Sequence, residues 1–493
     1  MAGSAFLSKS KYLSGLQCHK LLWHYYNAKD EIPAPDDATQ AIFDQGHVVG
    51  KLAQSLFPGG IEIGGDPKEF RQALEATQSE LARRVPLFEP AFQYKNAFAR
   101  ADILNPVGTD QWDIIEVKSS TSVKEVNLFD LALQRYVYEG SGLAIHSTIL
   151  MHIDNAYVRK GEIEPQRLLA QKDVTTEVQA LLPRIEPDLA AMSEVIALKS
   201  APQVSIGPQC SAPYGCPLTG KCWAFLPEDS PLTLYRLRKD KAFDLIGRGV
   251  TSVRKLPREV VLNDKQRIQV GSTHTGEPYV DKKYLRAFLA QLEYPLYFLD
   301  FETISPGVPL FDDARPFGHI PFQFSLHIQE MPGAAPRHES FLAGGRADPR
   351  KEFLDRLKAL LGNKGSIVVY NESFELSRLD ELAVLFPSSR SWYNQVKRRV
   401  RDLLRPFRDF AYYHPDQHGS ASIKAVLPVL THMSYEGLEI GDGGTASGEY
   451  LRVTFGDAEG EDRSKVRTAL EVYCAQDTLA MVNIVEKLGK LTR

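Results

Sequence analysis

Two sets of acidic residues stand at the ends of apolar runs in opposite halves of this 493-residue chain. The first is Asp102, followed by "DQWDIIEVKSS" with Glu116 and Lys118 on alternate positions. The second is "YPLYFLDFET", carrying Asp300 and Glu302, answered near the C-terminus by Tyr473 and Asp477 in "YCAQD". A carboxylate in such a place is a poor core residue unless a cation pairs with it. Divalent metal is a ready partner, and two-metal phosphodiester hydrolysis is its commonest use. The order of residues in both sets points first to nucleic-acid cleavage.

Around the first set, "AFQYKNAFARADIL" alternates like a strand and carries Asp102, and "DQWDIIEVKSST" reads as a second strand. Asn105 and Asp110 fall in the turn region between them, so the pattern predicts a hairpin. Antiparallel pairing would bring Asp102 beside Glu116, and Lys118 shares the face of Glu116 because alternate residues of a strand do. Asp102 and Glu116 can hold a divalent ion, and Lys118 can orient the attacking water or steady the phosphate charge. Downstream, "NLFDLALQRYVYEG" predicts a helix with Gln134 and Tyr138 at i and i+4 on one face. A Glu-x-Lys pair is common by itself. The upstream aspartate and the Gln-x-x-x-Tyr helix make it specific.

Five cysteines are too few for a disulfide scaffold in a chain of this length. Cys18 stands alone, Cys210, Cys216 and Cys222 cluster in "QCSAPYGCPLTGKCW", and Cys474 lies inside the C-terminal acidic motif. Proline and glycine between the clustered three would stop a helix and let a loop wrap a cofactor. A closed site needs a fourth thiolate, for which Cys18 is the candidate. Inert buried thiols are the plainer alternative.

In the second half, Asp300 and Glu302 alternate with Leu299 and Phe301, so both carboxylates face one side of a strand. Such a pair can bridge two metal ions about 3.5–4 Å apart. "SIVVYNESFELSRL" predicts a strand ending at Asn371 and a helix carrying Glu375 in its first turn. "SKVRTALEVYCAQDTLAMVNIVEKL" predicts an amphipathic helix with Tyr473 and Asp477 at i and i+4. Alone, Tyr473 would read as a core aromatic. In this company it is a candidate donor to the attacking water.

The first set resembles the RecB-like branch of the PD-(D/E)XK nucleases, through Asp102, "IEVK" and "QRYVY". One cysteine before that core and three after it resemble the iron–sulfur version. The resemblance implies a restriction-endonuclease-like fold with Cys18, Cys210, Cys216 and Cys222 holding a [4Fe–4S] cluster that staples the domain ends. Four-cysteine zinc is the chemical alternative. Relatives of this kind supply a metal-binding histidine some residues after a glycine on an N-terminal helix. Here His47 directly follows Gly46, so it is a candidate ligand or a helix-surface or packing histidine. The second set resembles the DnaQ-like (DEDD) exonucleases of RNase H-like fold, in their tyrosine subtype. That resemblance assigns Asp300, Glu302, Glu375 and Asp477 to two metals, Mg²⁺ or Mn²⁺, with Tyr473 on the water and hydrolysis running 3′→5′. It departs at Glu375, one methylene longer than the usual aspartate, and Asp402 with "GSASIKAVLP" matches the family's intermediate elements. Together the motifs resemble a bacterial family that fuses these two modules.

The expected organisation is therefore α/β and multidomain. A nuclease domain spans 1–225, a small helical connector 226–289 with a turn at Gly247 and Gly249, and an exonuclease domain 290–493. "GGTASG" at 443–448 is the expected mobile loop. The basic run of Lys397, Arg398, Arg399, Arg401, Arg405 and Arg408 can track phosphates or form a solvated face, and Trp392, Tyr393, Tyr412 and Tyr413 can stack on bases or pack in the core. Hydrophobic content of 43%, charged content of 24% and a net charge of −4 are those of an ordinary globular protein. They exclude a generally basic binder but not a nuclease with local basic patches. No apolar run approaches the roughly 20 residues of a membrane span, and no signal-peptide stretch is seen, so the expected location is cytoplasmic. The expected substrate is DNA, single-stranded or end-containing, with RNA as an alternative. A nucleic-acid-binding protein with one decayed nuclease domain is the second reading. An iron–sulfur redox or sensor protein is a third, disfavoured because the cysteines bracket a nuclease core.

Overall fold

The computed structural model describes residues 6–63 and 70–493. The protein is mixed α/β and forms two compact units, Met1–Ala224 with Pro306–Phe317, and Phe225–Ser305 with Gly318–Arg493. Among the described residues no helix is long and apolar enough to cross a membrane.

The strands of the first unit are Leu7–Ser8 (β1), Ile61–Glu62 (β2), Leu87–Phe88 (β3), Ala91–Tyr94 (β4), Ala97–Arg100 (β5), Ile103–Val107 (β6), Gln111–Lys118 (β7), Ala144–Ile153 (β8) and Leu169–Asp173 (β9). They form a mixed sheet of order β2-β3-β6-β7-β8-β9 and a smaller one of order β1-β5-β4. Its principal helices are Lys9–Gln17 (α1), Asp37–Gln54 (α2), Glu125–Gly140 (α3) and Thr175–Ile196 (α4). Alternation along β7 and β8 sorts the core. Ile114 and Leu150 join Leu131, Leu133 and Val137 of α3 on one face, and Ile115 and Met151 join Val49 and Ala53 of α2 on the other. Glu116 and Lys118, in step with Ile114, therefore look toward α3.

The hairpin is present, with Ile103 opposite Ile115 in antiparallel β6 and β7. However, the expected first strand is three strands, β4 and β5 in the smaller sheet and the start of β6 in the larger, and the chain changes sheet between β5 and β6. Between them, Ala101 N donates to Tyr138 Oη at 2.8 Å and Asp102 O accepts from Glu89 N at 3.1 Å. Backbone groups supplied with partners outside a ladder have no need of one, so the chain turns there. The segment Pro306–Phe317 is an addition to contiguous boundaries; Arg159 Nη1 donates to Leu310 O at 2.6 Å.

In the second unit, residues 226–289 contribute Lys239–Gly247 (α5), Asp264–Thr275 (α6), Tyr279–Val280 (β10) and Lys282–Leu289 (α7). Gly249, with φ +85°, ends α5 by letting Val250 N reach Leu245 O at 2.9 Å. The remaining strands are Leu296–Ile304 (β11), Ile320–Gln329 (β12), Arg337–Leu342 (β13), Ser366–Val369 (β14), Val400–Asp402 (β15) and Tyr412–Tyr413 (β16). The main sheet has order β13-β12-β11-β14-β15, with β11, β14 and β15 parallel and β12 antiparallel to both of its neighbours. β10 pairs with β16, so part of the expected connector belongs to this unit's own structure. Helices Glu372–Leu385 (α8), Gly443–Phe455 (α9) and Gly460–Leu491 (α10) surround the end of β11 that bears the acids.

The expected mobile loop at 443–448 is instead the start of α9. Asp442 caps it, accepting from Thr445 N at 2.9 Å and Thr445 Oγ1 at 2.8 Å. Packing completes the override of local composition, since Ala446 is buried and Tyr450 stacks on Phe322 with centroids 3.9 Å apart.

Candidate metal centres and the cysteine pocket

In the first unit the hairpin, α3 and α1 converge on one polar cluster. Asp102 lies just before the Ile103–Ile115 pair, and its Oδ2 accepts from Val117 N at 2.6 Å. Lys118 Nζ lies 2.5 Å from Glu116 Oε1 and 2.9 Å from Asp130 Oδ2. Gln134 Nε2 donates to Glu116 Oε2 at 2.8 Å and to Asp130 Oδ1 at 3.0 Å. Lys9, from α1, adds a contact of 2.8 Å to Glu116 Oε1. Burial opposes ionisation of Glu116, yet the Lys118 and Lys9 ammoniums hold its carboxyl well below the usual range. Asp102 has no such contact; burial and the Glu116 charge push it up to about 7.

Sequence reasoning missed Lys9 and Asp130. Asp130 was legible, since it precedes Gln134 by one helical turn on the same face. Lys9 carried no local signal. Tyr138 behaves differently from Gln134. Its hydroxyl donates to Pro90 O at 2.7 Å and accepts from Ala101 N, so it positions the backbone leading to Asp102 and leaves the carboxylates to Gln134. Tyr138→Phe keeps the ring against Phe92 but strands the buried Ala101 N–H, which costs about 1–3 kcal/mol. Chemical denaturation should show that loss. Unchanged stability would return Tyr138 to the candidates for the site itself. His47 is exposed on α2, and among the described residues no hydrogen bond or ion pair joins it to Asp102 or Glu116.

The four cysteines expected to act together, Cys18, Cys210, Cys216 and Cys222, line one pocket. All are free thiols. Burial pushes the Cys216 thiol up, with Cys18, Cys210 and Cys222 adding to the effect. Gln17 Nε2 ties the N-terminal helix to this loop, donating to Gln209 O at 2.8 Å and Tyr214 O at 2.7 Å. Distant parts of the unit thus meet at the thiols.

In the second unit Asp300, Glu302, Glu375, Tyr473 and Asp477 line one pocket with Lys424. β11 supplies the first two, and a register shift directly after Glu302 bends the strand there. α8 supplies Glu375 in its first turn, entered through Asn371 at φ +88°. α10 supplies Tyr473 and Asp477 one turn apart and is anchored to β12, where Ser325 Oγ and Thr478 Oγ1 are 2.7 Å apart. Tyr435 Oη donates to Asp477 Oδ1 at 2.5 Å. The first residue of α9, Gly443, also stands at the rim, where an added Cβ would lie 3.5 Å from Glu302 Oε2.

These acids are crowded and short of cations. Burial, with Asp477 and Glu302 adjoining, pushes Asp300 well above the carboxylate range. Burial also pushes Glu302 to about 8, Glu375 to about 8 and Asp477 to about 6. Glu375 Oε2 is buried without a hydrogen-bond partner. Asp402 acts on the backbone instead. Its Oδ1 accepts from Asn371 N at 2.9 Å and Leu404 N at 3.0 Å, fixing the turn that delivers Glu375. Lys424, Tyr435 and Cys474 were not singled out from sequence as members of this centre; Cys474 could have been, by its place inside "YCAQD".

Much of the basic run serves the unit itself. Arg399 Nε donates to Gly365 O at 2.7 Å, Arg401 Nη1 to Val400 O at 2.8 Å, and Arg405 pairs with Glu372. Lys397 and Arg398 remain exposed. Tyr393, Tyr412 and Tyr413 are buried core residues and offer no stacking face.

Residues 297–422 match the family described as "Domain of unknown function (DUF2779)". That stretch carries Asp300, Glu302 and Glu375 and stops short of Tyr473 and Asp477. The chain is similar to "Uncharacterized protein MG366 homolog" of Mycoplasma pneumoniae, 27% identical over 45% of this chain and 34% of that protein. It is also similar to "Uncharacterized protein UU173" of Ureaplasma parvum, 23% identical over 49% of this chain and 39% of that one. The chain thus spans roughly a third of the length of the curated relatives it matches. Among solved structures, the crystal structure of SSO0001 aligns at a TM-score of 0.24 and 11% identity, over 46% of this chain and 90% of that one.

Proposed function

We propose that the protein is a metal-dependent nuclease with two centres, a RecB-like PD-(D/E)XK site in the first unit and a DnaQ-like exonuclease site in the second. The observation that carries this is the second pocket. Four carboxylates from three elements far apart in sequence line one pocket there; Glu302, Glu375 and Asp477 are buried and Asp300 is half-buried, and one of their oxygens lacks any hydrogen-bond partner. Such a set is costly without a cation. The strand order β13-β12-β11-β14-β15 fits an RNase H-like reading, and hairpin, crossover helix and parallel strand fit a restriction-endonuclease-like one.

Asp300, Glu302, Glu375 and Asp477 would hold Mg²⁺ or Mn²⁺ in the second centre, and Asp102 and Glu116 in the first. When bound, these ions neutralise phosphate charge and favour attack by water. Tyr473, which lines the same pocket, would hold that water by its hydroxyl. Lys118 offers an ammonium to the phosphate or the water, while Gln134 and Asp130 keep Glu116 and Lys118 in place. Cys18, Cys210, Cys216 and Cys222 would hold a [4Fe–4S] cluster, which closes the ends of the first unit on each other. Four-cysteine zinc is the second reading of the same pocket, and metal analysis of the purified protein decides between them.

DNA with a free end, single-stranded or frayed, is the proposed substrate. The test is end-labelled single- and double-stranded DNA and RNA, incubated with the purified protein and Mg²⁺ or Mn²⁺. In a chain whose second centre is silenced by Asp300→Asn, Lys118→Ala should lower the remaining cleavage by about 10²–10⁴-fold while the thiol-bound cofactor is kept. Binding of nucleic acid without cleavage of any substrate would replace this reading with a binding protein.

A further inference from the structure

Cys474 has no part in the four-carboxylate set, yet it stands within it. It is fully buried on α10, and its Sγ lies 3.8 Å from Asp300 Oδ2. Asp300, Glu302 and Cys474 are, among the described residues, the one group of three whose ligand atoms all lie within 4.8 Å of one another. The unpartnered, buried Glu375 Oε2 belongs to a residue lining the pocket of Asp300 and Glu302, and Cys474 lies behind that lining.

A tetrahedral ion with bonds of about 2.3 Å to sulfur and about 2.1 Å to oxygen has a sulfur–oxygen edge of about 3.6 Å. The Cys474–Asp300 separation is close to that edge. Carboxylates alone suit Mg²⁺ and Mn²⁺, whereas a thiolate selects softer ions. We propose that Asp300, Glu302 and Cys474 form a mixed carboxylate–thiolate site for a thiophilic divalent cation of the zinc class, overlapping the hard-ion set. On binding, the thiol proton leaves to solvent and a sulfur lone pair forms the bond to the ion, with no change of oxidation state. An ion held this way takes Asp300 and Glu302 from Mg²⁺ or Mn²⁺ and competes with them. That competition rests on the exonuclease proposal; the site itself does not.

The test titrates the full-length protein with Cd²⁺, following thiolate-to-metal charge-transfer absorption in the near ultraviolet, and measures Mn²⁺ binding in parallel by electron paramagnetic resonance. Wild type is compared with Cys474→Ser. Thiols outside this centre contribute equally to both, so the difference isolates Cys474. Wild type should bind an additional Cd²⁺ with thiolate absorption. Outer-shell changes alone cost about 10–100-fold in metal affinity, so loss of the direct sulfur ligand should cost at least about 100-fold. Glu302→Gln, which keeps the thiol, should weaken the same Cd²⁺ site. Cys474→Ala, with circular dichroism, guards against a folding defect peculiar to serine. Equal Cd²⁺ stoichiometry and absorption in wild type and Cys474→Ser overturn the proposal; if Mn²⁺ still binds, the exonuclease reading survives. A Cd²⁺ difference without any Mn²⁺ binding supports the mixed site and removes the two-metal reading.

Discussion

Asp300→Asn, placed in a chain whose first centre is already silenced by replacing Asp102, Glu116 and Lys118, should abolish 3′-end-dependent degradation. The expected loss is on the order of 10³-fold, the scale on which removal of a main electrostatic stabiliser acts. The carboxylate stands beside Glu302 on the same face of β11 and draws its environment from Asp477 on α10, so its neutralisation disturbs the whole cation set. Mn²⁺ affinity should fall with the rate. Tyr473→Phe gives the contrast: it removes a hydroxyl from the pocket and no carboxylate, so cleavage should slow by about 10²-fold at nearly unchanged Mn²⁺ affinity. Measuring both quantities on both variants separates holding the ion from holding the water. A silenced-first-centre protein with no 3′-end-dependent activity under any divalent ion would make the second unit a binding module.

Cys216→Ala should have the largest effect on stability. Protein purified anaerobically should be brown, and the variant colourless. The first unit should become sensitive to protease at concentrations that leave the second intact. Binding of a structural metal is worth about 10–16 kcal/mol in small zinc domains, comparable to the whole stability of a domain at about 5–15 kcal/mol. Cys216 shares its pocket with Cys18 and the other two cysteines, so its loss opens the connection between the ends of the unit. The separate core of the second unit should preserve 3′-end-dependent degradation in that variant. Colourless wild-type protein carrying stoichiometric zinc and no iron would sink the cluster assignment.

Alternation and helical period alone determined which faces present the candidate residues. A strand must put Glu116 and Lys118 on one face, and a helix must put Gln134 beside its neighbours one turn away. β11, α8 and α10 follow in the same way from their apolar patterns, and those periods are properties of the backbone that no tertiary contact need supply. The cysteine spacing likewise announced a shared pocket, although not its dimensions.

Tertiary structure decided what those faces meet. Lys9 reaches Glu116 across 107 positions of sequence, a contact without local pattern because it is made by packing α1 against the sheet. Tyr138 sits at helical spacing from Gln134, but its hydroxyl is claimed by Pro90, just before β4, and by Ala101, whose N–H is freed by the break between β5 and β6. The glycine-rich start of α9 reads as a loop by composition, yet Asp442 and the Tyr450–Phe322 stack outweigh its weak helix propensity. Cys474 was a lone thiol in the sequence. Its place inside "YCAQD" hinted at the centre, but its reach to Asp300 and Glu302 exists only because α10 packs across β11.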